Sequence, residues 1–509
     1  MKRAFSTKIF IALAAGWLSF KSMAAGPPAP YGPVPTPRQL FRQTNEFYGF
    51  LHFGVNTFTD REWGNGDEDP NVFYPTNFDP DQIARTAKMA GMKCLILTCK
   101  HHDGFCLWPT AYTTHSIKYS RWYREREAKV PGSGDVVKCI ADACRKYGLK
   151  FGIYLSPWDR NNVNYAGPEY ITYYRNELRE LLTHYGPIYE VWFDGANGGY
   201  GYYGGANERR TIDNRVYYDW PDTWKMVRDL QPNAVMFSDG GPDIRWVGNE
   251  DGIAGDPCWD TLDSSEFGPG YGPNGARYGE GLTSGQRDGP SWIPAECDVS
   301  IRHPDWFYHM SDNNKVETPA GLVDIYYESI GRGASLLLNI PPDRNGQIHS
   351  TDVAALRGFR RILDNTFDHD FARHAKVTAS NVRGNDRQFS PYNVIDGNPN
   401  TYWSTDDSAT NADLIFDFGK ATTFNVVRLR EYLPLGQRVD GYGLDQWQDS
   451  NWVEFAKGQA IGNCRLVRGK PITTCKVRVR LSAPVCPAIS EVGLFLEPPV
   501  PEAQQLAAP

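Results

Sequence analysis

Clustered lysines and arginines are what this 509-residue chain most plainly lacks. Its formal net charge is −7, and with no basic stripe it offers little to a phosphate backbone or an anionic membrane surface. Neither nucleic acid nor membrane is therefore an expected partner. Long apolar runs are scarce too: beyond the first residues nothing approaches the ~20 apolar residues that cross a bilayer. The ten cysteines follow no zinc-ligand spacing, so no metal ligand is assigned. What the chain does have is an ordinary hydrophobic share of 41% and an aromatic share of 13%, with 15 Trp and 28 Tyr. Aromatic rings stack on the flat apolar faces of sugars, although large cores consume them as well. The length exceeds what one compact core holds, so two domains are expected.

Residues 1–24 read as a secretory signal. Lys2 and Arg3 give a basic start, Ile9 to Phe20 is mostly apolar, and Ser22-Met23-Ala24 places small residues where a signal peptidase reads. The apolar run is too short for a membrane anchor. Cleavage after Ala24 is expected, which makes the mature protein secreted or periplasmic. Export permits disulfides without requiring them. Cys464 and Cys475 flank a short segment and are one candidate pair. Cys94 and Cys99 lie in or beside a buried-looking strand, where a free thiol serves equally well as a small apolar filler.

After a Pro-rich leader (Pro27 to Pro37), short apolar runs alternate with amphipathic stretches. Tyr48 to Val55, Cys94 to Thr98, Lys150 to Leu155, Tyr189 to Phe193, Ala234 to Ser238 and Ser335 to Ile340 read as strands. Asp79 to Ala90, Asp135 to Tyr147, Glu169 to His184 and Trp220 to Leu230 read as helices, two of them opening on an acidic cap. Strand, helix, strand at this spacing gives parallel βα units, and eight would close a (β/α)8-like barrel over residues 25–368. His52, His101, Tyr154, Asp194 and Asp239 all fall at or near strand C-terminal ends. A barrel gathers those ends on one face, whereas an open sheet disperses them. The fold class is thus α/β, followed over 369–498 by short alternating strands that read as an antiparallel β-sandwich. Residues 499–509, rich in Pro, Ala and Gln, are expected to be a frayed tail.

Two carboxyl groups at neighbouring barrel ends are what retaining hydrolysis of a glycosidic bond needs, one to attack and one to protonate, at roughly 5–5.5 Å separation. Asp194 is the better-placed nucleophile, because it follows the apolar strand Tyr189 to Phe193 and precedes Gly195. An Asp before Gly also commonly caps a turn. Candidates for the acid are Asp239, Asp243, Glu250 and Glu296. Glu250 and Glu296 each sit in an apolar neighbourhood that raises a carboxyl pKa, and residue-level reasoning does not separate them. Lys100 to Phe105 holds adjacent histidines and Asp103. Neighbouring strand residues point to opposite faces, so sugar binding ranks above a metal site there, and core histidines third.

Five segments in order, Phe50 to Gly54, Glu62-Trp63, Lys100 to Phe105, Gly152 to Ser156 and Trp192 to Gly195, strongly resemble the α-L-fucosidases of glycoside hydrolase family 29. The resemblance implies Asp194 as nucleophile and His52, Trp63, His101, His102, Tyr154 and Trp192 as the fucose pocket, with Glu62 beside them. Phe237 to Glu250 looks like the subgroup that prefers α-1,3 and α-1,4 linkages, which implies Glu250 as acid/base beside Trp246. The spacing from Asp194 to Glu250 is longer than that resemblance leads one to expect. The Gly/Tyr-rich stretch Gly198 to Gly205 and the following Asn207 to Arg215 account for it as an insertion. Trp292 to Asp298 and Arg302 to Tyr308 also resemble the subgroup and are placed near the leaving-group sugars, with Glu296 as reserve acid.

Val394 to Gly397 and Asn400 to Ser404 resemble discoidin-like (factor 5/8 type C) sandwiches. That resemblance implies a domain that either binds sugar, sometimes with a structural calcium, or packs against the barrel, and packing is favoured. The expected partner is a fucosylated oligosaccharide or glycoprotein glycan, with no cofactor for the chemistry. Rival expectations are a retaining glycosidase for another sugar, a non-catalytic sugar-binding protein and a metal-dependent hydrolase using His101, His102 and Asp103.

Overall fold

The computed structural model describes residues 25–266 and 281–499. The expected signal segment and most of the expected tail lie outside them. Eight parallel strands close a barrel: β1 Phe47–Leu51, β2 Cys94–Lys100, β3 Lys150–Leu155, β4 Glu190–Trp192, β5 Val235–Ser238, β6 Ile244–Trp246, β7 Ala295–Ser300 and β8 Ser335–Asn339. Each pairs with its sequence neighbour, and Phe47↔Leu336 through Phe50↔Asn339 close the ring between β1 and β8. Runs such as Cys94–Lys100 are buried throughout, as a parallel strand covered on both faces requires.

The helices around the barrel begin and end where local chemistry dictates. Pro80–Ala90 starts where the Asp79 carboxylate accepts the Gln82 N–H, and it stops at Gly91 with φ 95°. Val136–Tyr147 repeats the device with Asp135, the Lys138 N–H and Gly148. Glu169–His184 and Trp220–Leu230 have the expected bounds. Pro319–Glu328 and Ser350–Phe367 follow the last two strands.

Two departures shape the cavity. The expected first strand ends at Leu51 rather than Val55: the Phe53 N–H is taken by the Thr98 hydroxyl (3.2 Å), and a short helix, Val55–Thr59, follows. Between β5 and β6 there is no helix, only residues 239–243, which turn the chain across the rim.

The C-terminal domain is an antiparallel β-sheet domain folded around Trp403, Leu414, Phe416, Val477, Val479 and Leu494. Rather than only short strands, one continuous strand, Asn411–Glu431, runs through it, with register shifts inside it. Its partner is Arg465–Ser482. Cys464 and Cys475 therefore stand near the two ends of about 11 residues of extended chain, on the order of 35 Å. That pairing is corrected: all ten cysteines are free, and Cys94 and Cys99 are buried fillers whose thiols burial pushes well up. The sandwich is docked on the barrel. Val426, Cys464, Leu466 and Phe495 join the barrel's buried cluster, Arg430 pairs with Glu46 (3.0 Å) and Arg465 with Asp256 (2.7 Å).

Candidate active site

The C-terminal ends of the strands surround a cavity of about 260 Å³, the scale of one sugar ring rather than a drug-sized ligand. Asp194 enters it from the tip of β4. Its Oδ1 accepts the Ala196 N–H (2.7 Å), the Asx turn its sequence suggests, while Oδ2 accepts the Tyr154 hydroxyl (3.0 Å). Turn-capping and presentation into the cavity thus coexist in one carboxylate. Gly195 follows because a Cβ there would lie 2.6 Å from the Asp239 carboxylate.

Three imidazoles face Asp194 from β1 and β2, all disfavoured as cations by burial. His52 is pushed down to about 4, His102 is lowered, and His101 is lowered further by its two neighbouring imidazoles. Hydrogen bonds fix two tautomers. Asn339 spends its amide N–H groups on Ser300 and the Trp306 carbonyl, so its Oδ1 accepts from His52 Nδ1 (3.0 Å). Ser156 donates to the Trp158 carbonyl and therefore accepts from His102 Nδ1 (2.7 Å). In both rings the free Nε2 is an acceptor, and that of His102 lies 3.8 Å from Asp194 Oδ2. Such acceptors suit sugar hydroxyls.

Aromatic walls complete the cavity. Trp192 stacks on Phe237 at 4.2 Å and lies near-parallel to Tyr154 at 5.4 Å. Phe50, Trp246 and Trp306 close further sides, and Trp63, 54% exposed, forms the rim. Of the expected residues, Asp194, Glu250, His52, Trp63, His101, His102, Trp192 and Trp246 all line this one space. Tyr154 acts through Asp194.

Glu296 and Glu62 are placed elsewhere. Glu296 is the second residue of β7, beside Trp246 and Ser335 near the barrel floor, fully buried against Arg42, and it accepts the Trp192 indole N–H (2.9 Å). It supports the Trp192 wall from beneath and does not line the cavity, so its reserve-acid role is dropped. Glu62 accepts the Trp306 and Phe307 N–H groups (2.8 and 2.9 Å) and His309 Nε2 (2.7 Å), which pins one wall segment to the Trp63 loop. Asp243 is held by Arg38 and Arg228, away from the cavity. Arg302 pairs with Asp352 and Trp292 donates to Gln43, so of those two segments Asp298 and Trp306 are the residues that line the site.

Phe50 and Phe237 line the site without having been singled out from the sequence, Asp239 was one of the acid candidates, and Asp298 and Trp306 fell within the segments placed near the leaving-group sugars. The signal for Asp298 was alternation: Asp298 stands two residues after Glu296, on the same strand face and one layer nearer the rim. Burial, then the Asp194 charge, raises Asp239 to about 7. Burial, then the Glu250 charge, pushes Asp298 well up, partly offset by the Trp246 indole N–H at 2.8 Å from its Oδ1.

No metal centre forms at His101, His102 and Asp103, because the Asp103 oxygens turn to the Phe105 N–H and the Asn56 amide. Among the described residues, ligand atoms of Glu62, Asp305 and His309 do lie within 4.8 Å of one another. Both His309 nitrogens are engaged by Asp60 and Glu62, which raise it to about 9, and an imidazolium has no lone pair for a metal.

The sequence profile described as Alpha-L-fucosidase matches residues 36–365, and that of the F5/8 type C domain matches residues 376–491. The chain is similar to Alpha-L-fucosidase 1 of Arabidopsis thaliana, 39% identical over 482 residues covering 92% of this chain and 89% of the relative. It superimposes on a crystal structure of a putative α-L-fucosidase from Bacteroides thetaiotaomicron with TM-score 0.83 and 40% identity, covering 93% and 100% of the two chains. A glycoside hydrolase 29 fucosidase from Ruminococcus gnavus, solved in complex with fucose, gives TM-score 0.82 at 30% identity, covering 94% and 98%.

Proposed function

Because the chain belongs to the α-L-fucosidase family, glycoside hydrolase family 29, and is an α-L-fucosidase, we propose a retaining double displacement with Asp194 as nucleophile and Glu250 as acid/base. In the first step an Asp194 oxygen bonds to the anomeric carbon, and the bond to the leaving oxygen breaks as Glu250 protonates it. In the second, Glu250 takes a proton from water, whose oxygen displaces the Asp194 ester and frees fucose. His52 and His102 accept sugar hydroxyls through Nε2. The aromatic walls take the apolar face and the methyl group of fucose. The observation that carries this reading is the Asp194 carboxylate, held by Tyr154 and Ala196 and aimed into the same cavity that Glu250 lines.

Asp194→Asn is expected to lose about 10⁴-fold or more in kcat on an aryl fucoside. Glu250→Gln is expected to keep its first step on an activated aryl fucoside and to regain turnover with azide. NMR should show α-L-fucose as the first-formed anomer; a β anomer formed first would refute retention.

The natural substrate we propose is a terminal α-1,3- or α-1,4-linked fucose on an oligosaccharide or glycoprotein glycan, supported by the resemblance of Phe237 to Glu250 to that subgroup. A panel of 1,2-, 1,3-, 1,4- and 1,6-linked substrates tests it, and preference for 1,2 or 1,6 overturns it. We place the enzyme in the periplasm or outside the cell on the Lys2 to Ala24 pattern; N-terminal sequencing should find Ala25 first. The sandwich is proposed as a packing domain, supported by the Arg430–Glu46 and Arg465–Asp256 pairs.

A further inference from the structure

The cavity contains more carboxyl groups than a double displacement uses. Asp194 and Glu250 have roles; Asp239 and Asp298 line the same space without one. Asp298 is the more deeply built in. It sits in the upper layer of β7, 3% exposed, with Leu337 of β8 at its register position. From β6 the Trp246 indole donates to its Oδ1 at 2.8 Å. The chain that leaves Trp246 reaches Glu250 four residues later and returns to β7, where Asp251 bridges antiparallel to Val299, the neighbour of Asp298. One short excursion thus ties the Glu250 loop to the strand that carries Asp298, with the Trp246 indole bonded to Asp298.

We propose that Asp298 is a positioning residue for hydrolysis, forming with Glu250 a carboxyl pair that shares one proton and so keeps Glu250 supplied as the acid. The inference rests on reading Glu250 as the acid/base. A buried carboxyl and a half-buried one lining the same cavity cannot both ionise at ordinary cost, so the last proton leaves the pair late and belongs to both. The charged groups facing Asp298 are Glu250 from the loop after β6 and Asp194 from the tip of β4; β8 presents an apolar residue and β6 an indole. The carboxylates on two sides and the burial all act in one direction, towards proton retention. When that one proton has gone to the leaving oxygen the pair is left without it, and the pair regains it when Glu250 takes a proton from the attacking water.

Asp298→Asn preserves an acceptor for the Trp246 N–H while removing the second carboxyl. For a fucoside with a poor leaving group, the basic limb of the kcat/KM profile is expected to move to lower pH by about one unit. Activity well below that limb should fall less than activity on the limb itself. With 4-nitrophenyl fucoside, whose departure needs little protonation, the shift should shrink. Asp298→Ser carries the same expectation should the amide variant fold poorly. A uniform loss at every pH with an unmoved limb would reduce Asp298 to a structural role and overturn the proposal. Glu250→Gln separates the two readings. If it abolishes the basic limb while Asp298→Asn leaves the limb in place, only the pairing fails. If the limb survives Glu250→Gln, Glu250 is not the acid and both fail.

Discussion

Raising the pH through about 9 should loosen one wall of the sugar cavity, because an imidazolium helps to fasten it. His309 donates to Glu62 (2.7 Å) and Asp60 (3.0 Å), and these bonds, Glu62 first, raise it from 6.5 to about 9. A group whose folded-state pKa is raised contributes stability that is complete below the unfolded value and disappears as pH climbs through the folded one. The window is therefore about 6.5 to about 9 and beyond, with loss on the alkaline side. At about 1.36 kcal/mol per tenfold change in proton affinity, the rise amounts to at most about 3.4 kcal/mol. The Asp60 side chain is 55% exposed, so water screens part of this, and about 2 kcal/mol is the working figure. That corresponds to roughly 30-fold in local opening. Hydrogen exchange reads it directly, since the Trp306 and Phe307 amides donate to the same Glu62 carboxylate (2.8 and 2.9 Å). Their protection, corrected for intrinsic exchange, should fall by up to roughly 30-fold as the His309 proton leaves. In His309→Asn it should already be low near neutral pH and flat above it. KM should rise on the same limb, because Trp306 lines the cavity. Level protection through pH ~9 in the wild type, or unchanged protection in the variant, would refute the clamp.

Three further outcomes are expected. Tyr154→Phe removes the 3.0 Å donor to Asp194 Oδ2. A hydrogen bond to a charged acceptor contributes roughly 1.5–3 kcal/mol, so kcat/KM should drop roughly 10- to 100-fold with little change in Tm. Gly195→Ala drives a methyl to 2.6 Å from the Asp239 carboxylate. A displacement near 1 Å is enough to cost about 100-fold in rate, and the cost should shrink in an Asp239→Gly background, measured as a double-mutant cycle. Exhaustive treatment with a chelator should leave fucoside hydrolysis unchanged, because His309 is committed to two carboxylates; loss of activity restored by zinc would contradict that.

The strands that could be read from the chain are those with apolar residues on both faces. Cys94–Lys100 and Lys150–Leu155 are built on the apolar runs Cys94 to Leu97 and Phe151 to Leu155, and the helices around them carry acidic caps and glycine stops. β6 and β7 escaped for opposite reasons. β6 is three residues long, with no helix separating it from β5. β7 reads Ala-Glu-Cys-Asp-Val-Ser, and its polar residues are the inward-facing layers of a barrel whose interior is partly charged. The site shows the same split. Asp194 stood out because it ends an apolar run. Asp298 and Glu296 look alike in sequence, and strand register alone sends one to the cavity and the other to Arg42 and the Trp192 indole. The disulfide suggested by spacing failed because an extended strand separates close neighbours in sequence by tens of ångströms.

The cavity combines four carboxyls with three imidazoles and yet forms few ion pairs across it, and that imbalance explains how it recognises a neutral sugar. Were the histidines cationic they would neutralise the nucleophile and present only donors. Burial keeps them neutral, and Asn339 and Ser156 fix the Nδ1 protons on the side away from the sugar. Each ring then offers an acceptor where a hydroxyl must donate, and the Asp194 charge is left for the anomeric carbon. The same burial raises Asp239 to about 7 and pushes Asp298 well up, so the second pair of carboxyls adds less charge to repel Asp194 than two ordinary carboxylates would. Desolvation by the aromatic walls therefore acts twice: it supplies the apolar contact for the sugar, and it disfavours the charged forms of three imidazoles and two carboxyls around the nucleophile.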